Sequence, residues 1–289
     1  MKTYSLLLVF ALSSLNHAQD SKALETALQA KFKDKTVTLK HFYVCPYVHL
    51  DPSGVPRQAC EVGPWTLYSS LRVANVKVSD SSLRIEGKRI AVGFEERKIK
   101  YFNTDDLSLV EMDLDGPLGS ANVNHALIAI VMTPSDHFED YVPYYWKHFL
   151  QQNRQPDPTA RHSQQSDMIP GRVDDPAGPI VQRLKVSSGV LASKNIKKSQ
   201  PTYPSSAKSR GAQGTVVFRV IVGRNGKVMY LRIEAPAGLG LDEAAMDAVK
   251  DWEYQPMILN GVPVEVESLI IVNFSLFRLS GPVLGPRPN

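Results

Sequence analysis

Apolar positions recur along this chain with two different periods, and the alternation between them marks out its elements. Residues 21–32 carry Leu24, Ala27, Leu28 and Phe32 at helical spacing. A series of strand-like runs follows over 36–44, 65–78, 83–86, 88–94, 98–102, 108–114 and 126–132. Val37 and Leu39 alternate with Thr38 and Lys40, and Leu71 and Val73 flank Arg72, the pattern of a sheet with one solvated face. Gly87, between two of the runs, marks a bulge or a tight turn. Residues 135–151 turn helical, with Ser135 as cap, Asp136 in the first turn, and Pro143 starting a second helix because it lacks a donor. The aromatics there (Phe138, Tyr141, Tyr144, Tyr145, Trp146, Phe149) read as a helix face packed onto a sheet; a sugar or peptide groove is the alternative.

The last third is patterned most clearly. Pro201 and Pro204 hold residues 200–204 extended, and Pro204 opens a short helix over 205–210. A β-branched strand over 215–222 meets the turn Gly223-Arg224-Asn225-Gly226 and returns over 228–234 with Met229, Leu231 and Ile233 on one face. Leu241, Ala244, Ala245, Ala248, Val249 and Trp252 form one helical stripe, with Asp242 and Glu243 in the first turn. A long strand over 264–276 puts Val264, Val266, Ile270, Val272, Phe274 and Leu276 on one face, with Ser268 as the polar exception. The pattern gives an α+β arrangement: a small antiparallel sheet of three strands packed by two helices, preceded by a β-rich N-terminal domain.

Composition divides the 289 residues further. Residues 1–19 read as a signal peptide: Lys2, then an apolar run over 6–12 that is too short to span a membrane, with cleavage expected between Ser13 and Ala18. Residues 20–152 form the β-rich domain. Residues 153–182, with five prolines among Ser, Gln, Asp and Gly, form a linker of roughly 30 Å mean span as coil. The last domain covers 183–279, and 280–289 is a tail. An exported chain with only Cys45 and Cys60 favours a disulfide between them; two buried thiols are the plainer alternative. The expected location is the periplasm, with the signal peptide cleaved.

Charge and chemistry exclude several classes. A formal net charge of +4 is too mild for a nucleic-acid partner. From Arg183 onward there are 14 Lys+Arg against 8 Asp+Glu, and the lysines before the 215–222 strand read as a solvated basic face. The seven histidines show no His-x-x-x-His spacing, and there is no Gly-x-Ser-x-Gly elbow. Gly223 to Lys227 lacks the phosphate-loop spacing. No catalytic or metal site and no cofactor is expected, and the chain reads as a non-enzyme.

The last domain resembles the C-terminal domain of the TonB family. The resemblance rests on Gln200-Pro-x-Tyr203-Pro204, Gly214-x-Val216, the Asn225-Gly226 hairpin, Leu241-Asp242-x-x-Ala245, Trp252-x-Tyr254-x-Pro256 and a final strand ending Asn273-Phe274, in family order over about 95 residues. It implies binding of a peptide segment of an outer-membrane receptor, or another envelope protein, by strand addition. By position, the candidate contacts are Gln200, Tyr203, Glu265, Glu267, Leu269, Ile271 and Asn273, with Trp252 assigned to the core. A homodimer through the last strand is the competing use of that edge. The usual membrane anchor of such transducers is missing from the pattern, which puts energy coupling in doubt. The alternative function is a periplasmic ligand-binding protein whose N-terminal domain holds the ligand while the TonB-like domain serves dimerisation or docking.

Overall fold

The computed structural model describes residues 17–95, 98–153 and 183–276. Residues 1–16 of the expected signal peptide, most of the linker and the tail lie outside the described residues.

The N-terminal part opens with α1 (His17–Phe32), β1 (Thr36–Thr38), β2 (Tyr47–Leu50) and α2 (Trp65–Tyr68). It continues with β3 (Ser70–Val78), β4 (Ser82–Glu95), β5 (Lys98–Asp113), α3 (Ser120–Ile130), a 3-10 turn (Phe138–Asp140) and α4 (Tyr144–Gln152). Five strands form one sheet in the order β1-β3-β4-β5-β2, antiparallel except that β2 joins β5 in parallel. Leu24, Leu28 and Phe32 of α1 are buried, as are Val123, Ala126, Leu127 and Ile130 of α3. They share a core with Leu71, Val73, Leu83, Ile85 and Met112 of the sheet. Cys45 and Cys60 form a disulfide beside this core.

Four expectations need correction here. Residues 126–132 belong mostly to α3: the buried residues Val123, Ala126, Leu127 and Ile130 follow i, i+3, i+4, i+7, a helical stripe that the β-branched content disguises. The 65–78 run begins as a helical turn after Pro64 and becomes strand only at Ser70. The 36–44 run pairs as strand only through Thr38. Ser135 caps nothing. Asp136 organises a loop instead, its carboxylate taking the Thr133 N–H and hydroxyl, the Tyr141 hydroxyl at 2.8 Å and Lys40 at 2.8 Å. Burial pushes the Asp136 carboxyl up, but Lys40 and the Thr133 and Tyr141 donors outweigh it and hold the group well below its ordinary range. Gly87 does mark a bulge: β4 runs through it unbroken while β3 shifts register between Val73 and Asn75. A Cβ at Gly87 would lie 2.2 Å from the Arg72 carbonyl oxygen.

The C-terminal part comprises β6 (Arg183–Lys185), α5 (Ser188–Ser193), β7 (Asn195–Lys197), α6 (Ser205–Ser209), β8 (Gly214–Val222) and β9 (Val228–Ala235). It ends with α7 (Leu241–Val249), β10 (Glu253–Tyr254), β11 (Met257–Leu259) and β12 (Val262–Phe274). The three expected strands form an antiparallel core in the order β9-β8-β12, and β7 pairs with β10 in a separate ribbon. Val264, Val266, Ile270, Val272 and Phe274 all point inward, as their alternation demands. Trp252 is core, its Nε1 donating to the Ser199 carbonyl at 2.9 Å.

The two parts share one core. Trp65, Trp146 and Phe149 from the N-terminal side and Phe218, Ile233 and Val249 from the C-terminal side belong to one buried cluster. Trp65 meets Trp146 edge-on at 5.0 Å between ring centroids. The backbones also join: Phe94 N–H donates to Ala237 O at 3.0 Å and Leu239 N–H to Val92 O at 2.8 Å. Gly238 holds φ +80°, and a Cβ there would sit 2.5 Å from Gly93 Cα, so only glycine permits this crossing.

Candidate peptide-docking edge

A sheet of three antiparallel strands has two outer edges, and here they differ. Along β9 lies α4 of the N-terminal part: Tyr144 and Tyr230 bring their rings to 6.1 Å, and Arg232 Nη1 comes to 3.5 Å from His148 Nδ1. The other edge belongs to β12, which is longer than its neighbours. One side of β12 pairs with β8 from Val266 to Phe274. Residues 262–264 pair with β11 through the turn at Asn260, ahead of the ladder with β8, and on the opposite side residues 265–267 pair with β6 in parallel. Past Ser268, no strand among the described residues pairs with that side.

The direction of the backbone groups follows from one hydrogen bond. Val186 N–H donates to Glu267 O at 3.1 Å, so the Glu267 carbonyl faces the outer edge. In an antiparallel strand the N–H and C=O of one residue point to the same side, and sides alternate along the chain. Leu269, Ile271 and Asn273 therefore turn their N–H and C=O groups to the open edge, while Ile270 and Val272 serve the ladder with β8. Unpaired groups of this kind are a template for another strand.

The side chains of these residues stand on the face away from the helices. Leu269 and Ile271 are 36% and 49% exposed, unusual for apolar residues in mid-strand. Asn273 accepts a hydrogen bond from Thr215 Oγ1 at 2.8 Å. Charge gathers at the other end of the same face. Arg219 bridges Glu234 at 2.7 Å and Glu267 at 3.0 Å, and Arg232 joins Glu234 at 3.0 Å. The bond to Glu234 raises the Arg219 guanidinium above its ordinary value, with Glu267 adding to it. Burial pushes Glu234 up, but Arg219 and Arg232 together hold it below.

The candidate residues fall into four groups. Leu269, Ile271 and Asn273 line the open edge. Glu265 and Glu267 lie on the same edge but are covered by β6, and Glu265 is bridged by Arg183 at 3.1 Å. Tyr203 closes the end of the strand: its ring meets Phe274 at 5.4 Å and its hydroxyl donates to the Ala212 carbonyl. Gln200 is exposed, on a segment held to the end of α7 by Ser199 Oγ, which donates to the Ala248 carbonyl at 3.2 Å. The covering strand β6 was not foreseen; its signal was the short alternation Arg183-Leu184-Lys185-Val186 at the linker's end. In the N-terminal domain, a cavity of about 10 Å³ between His41, Tyr43, Leu50 and Arg89 has room for a water-sized guest.

The family model described as "Gram-negative bacterial TonB protein C-terminal" matches residues 199–276. Protein TonB of Vibrio cholerae serotype O1 is 33% identical over 96 residues, covering 33% of this chain and 38% of that protein. Protein TonB of Xanthomonas campestris pv. campestris is 36% identical over 87 residues, covering 30% of this chain and 38% of that protein. The chain thus spans well under half the length of these curated relatives. The solution structure of the Pseudomonas aeruginosa TonB C-terminal domain aligns over 29% of this chain and 87% of that chain at 20% identity, with a TM-score of 0.27. The match covers the short helix, the hairpin, the α7 stripe and the final strand in order, so residues 199–276 of this chain are a TonB C-terminal domain.

Proposed function

We propose that this protein works in the periplasm, where its TonB C-terminal domain binds an extended peptide segment of an outer-membrane receptor or transport partner by strand addition, assisting transmembrane transport. The observation that carries this reading is the open stretch of β12 past Ser268, with the backbone groups of Leu269, Ile271 and Asn273 directed outward while α4 lies along the opposite edge. Backbone pairing would supply affinity, and the exposed side chains of Leu269 and Ile271 a modest preference for apolar partners. No helix among the described residues is long and apolar enough to cross a membrane.

Ile271→Pro tests the reading. It deletes one N–H that faces the edge and takes no part in the ladder with β8, so the domain stays folded by circular dichroism. The probe is a panel of peptides copied from the N-terminal segments of outer-membrane receptors, read by fluorescence anisotropy. Binding should weaken about tenfold or more, and bound peptide should protect the amides of Leu269, Ile271 and Asn273 from hydrogen exchange. A homodimer through β12 would appear as a concentration-dependent species that Ile271→Pro abolishes and peptide does not compete away. Undiminished peptide binding by a folded Ile271→Pro protein would place recognition elsewhere.

A further inference from the structure

Strand β6 lies on the edge that the proposed partner would use. It runs parallel to β12, with Arg183, Leu184 and Lys185 opposite Glu265, Val266 and Glu267. Val186 extends the contact, its N–H donating to Glu267 O at 3.1 Å and its carbonyl accepting from Ser268 Oγ at 2.9 Å. Arg183 reaches the largely buried Glu265 carboxylate at 3.1 Å. At Ser187 the chain leaves the edge: the Ser187 hydroxyl caps α5, taking the Val190 N–H, and Leu191 anchors that helix in the core. The self-pairing therefore ends where the open stretch begins.

This arrangement shortens the edge. Residues 269–273 offer about 17 Å of strand, whereas residues 265–273 would offer about 30 Å, at roughly 3.3 Å per residue. The hold of β6 is slight. Only three of its residues pair, and Arg183 and Lys185 are exposed. Its downstream end is nonetheless fixed by Leu191, so a released segment stays tethered at a high effective concentration.

We propose that residues 183–186 are a tethered competitor for the docking edge. Docked, they leave only residues 269–273 open; released, they expose residues 265–273 to an extended peptide. The inference rests on the strand-addition reading and adds its regulation: anything that draws residues 183–186 off β12 lengthens the site and raises affinity for a partner.

The test supplies the segment in trans. The probe is a labelled peptide copying residues 181–187, Val-Gln-Arg-Leu-Lys-Val-Ser, titrated by fluorescence anisotropy into the full chain and into the full chain carrying Arg183→Glu and Leu184→Pro. The first substitution opposes Glu265, and the second removes a β6 donor. If β6 is docked in about nine molecules of ten, the variant binds the probe about tenfold tighter than the intact chain. The amides of Glu265 and Glu267 should exchange faster in the variant and regain protection when the probe binds. Equal probe affinities, or unchanged exchange at Glu265 and Glu267, overturn the proposal. Should the double variant fail to fold, Arg183→Ala gives the same comparison with a gain of about threefold. Probe binding to the variant, with receptor-derived peptides binding neither form, upholds the competitor and refutes the docking reading. Receptor-derived peptides binding both forms equally do the reverse.

Discussion

Glu243 gives the junction between the two parts of the molecule a pH dependence. It stands in the first turn of α7, and its Oε1 accepts a hydrogen bond from Trp146 Nε1 of α4 at 3.0 Å. Its Oε2 is sealed from solvent with no hydrogen-bond partner among the described residues, although the residue as a whole keeps some exposure. Burial raises the Glu243 carboxyl above its ordinary value of 4.5, and the charge of Asp242 raises it further; the Trp146 bond opposes this without cancelling it. Burial likewise raises Asp242, against the N–H groups of Ala237 at 2.9 Å and Gly238 at 2.6 Å. A carboxyl raised in the folded state keeps a proton that the unfolded chain has released. Its stabilising contribution is therefore complete below 4.5 and is lost as pH rises. Each unit of upward shift corresponds to about 1.4 kcal/mol, or about 3–5 °C in Tm for a chain of this size. Glu243→Gln keeps the acceptor for Trp146 and removes the ionisation. Scanning calorimetry from about pH 5 to about pH 8 should show the wild-type Tm falling more steeply than that of the variant. The residual slope in the variant includes the Asp242 contribution. Parallel Tm curves for the two proteins would refute the reasoning.

Two further perturbations follow from named contacts. Gly238→Ala forces a Cβ to within 2.5 Å of Gly93 Cα at φ +80°, and should cost more than about 2 kcal/mol in chemical denaturation, whereas Gly189→Ala, with open space at its Cβ, should cost little. Reduction of the Cys45–Cys60 bond, which closes a loop of 15 residues, should lower stability by about 3 kcal/mol without unfolding the C-terminal sheet; an unchanged Tm after verified reduction would contradict this.

The sequence made some levels of this structure legible and hid others. The hairpin at Asn225-Gly226, the α7 stripe and the inward face of β12 follow from local period and turn chemistry, and all three are where the pattern put them. Met229 shares the parity of Leu231 and Ile233 yet is 57% exposed, because the register shifts there: Ile221 pairs with Tyr230 and Val222 with Val228, so Met229 is the extra residue of a bulge and Val228 packs on the core in its place. The α3 stripe was present in the sequence but obscured by Val and Ile, whose strand preference is weaker than their packing. The edge residues Leu269 and Ile271 were legible as outward-facing, since alternation alone fixes that. Their freedom from pairing was not, because it depends on where β6 ends in space. Three-residue strands such as β6 and β11 carry too little pattern to separate them from coil.

The shared core sets how the C-terminal domain behaves as a mechanical unit. The backbone bonds of Phe94 to Ala237 and Leu239 to Val92 join β4 to the loop before α7, and Gly240 N–H donates to Thr66 Oγ1 at 3.1 Å. Trp146 is fully buried against Trp65 and Phe94 and bonded to Glu243. Removing a buried tryptophan costs about 3–5 kcal/mol, a large fraction of the stability of an ordinary domain. If this core were local to the N-terminal part, Trp146→Ala would lower one melting transition and leave the β8–β9–β12 sheet untouched. Because the core is common, the two parts should melt together. Calorimetry should give a single transition with matching calorimetric and van't Hoff enthalpies, and Trp146→Ala should move all of it. Hydrogen exchange at Phe218 and Val220, in the centre of β8, should accelerate in the same variant although neither residue is altered. A load applied to β12 would then pass into the N-terminal sheet rather than stopping at the domain that receives it. Two resolved transitions, with Trp146→Ala shifting only one, would show that the parts are independent and that no such path exists.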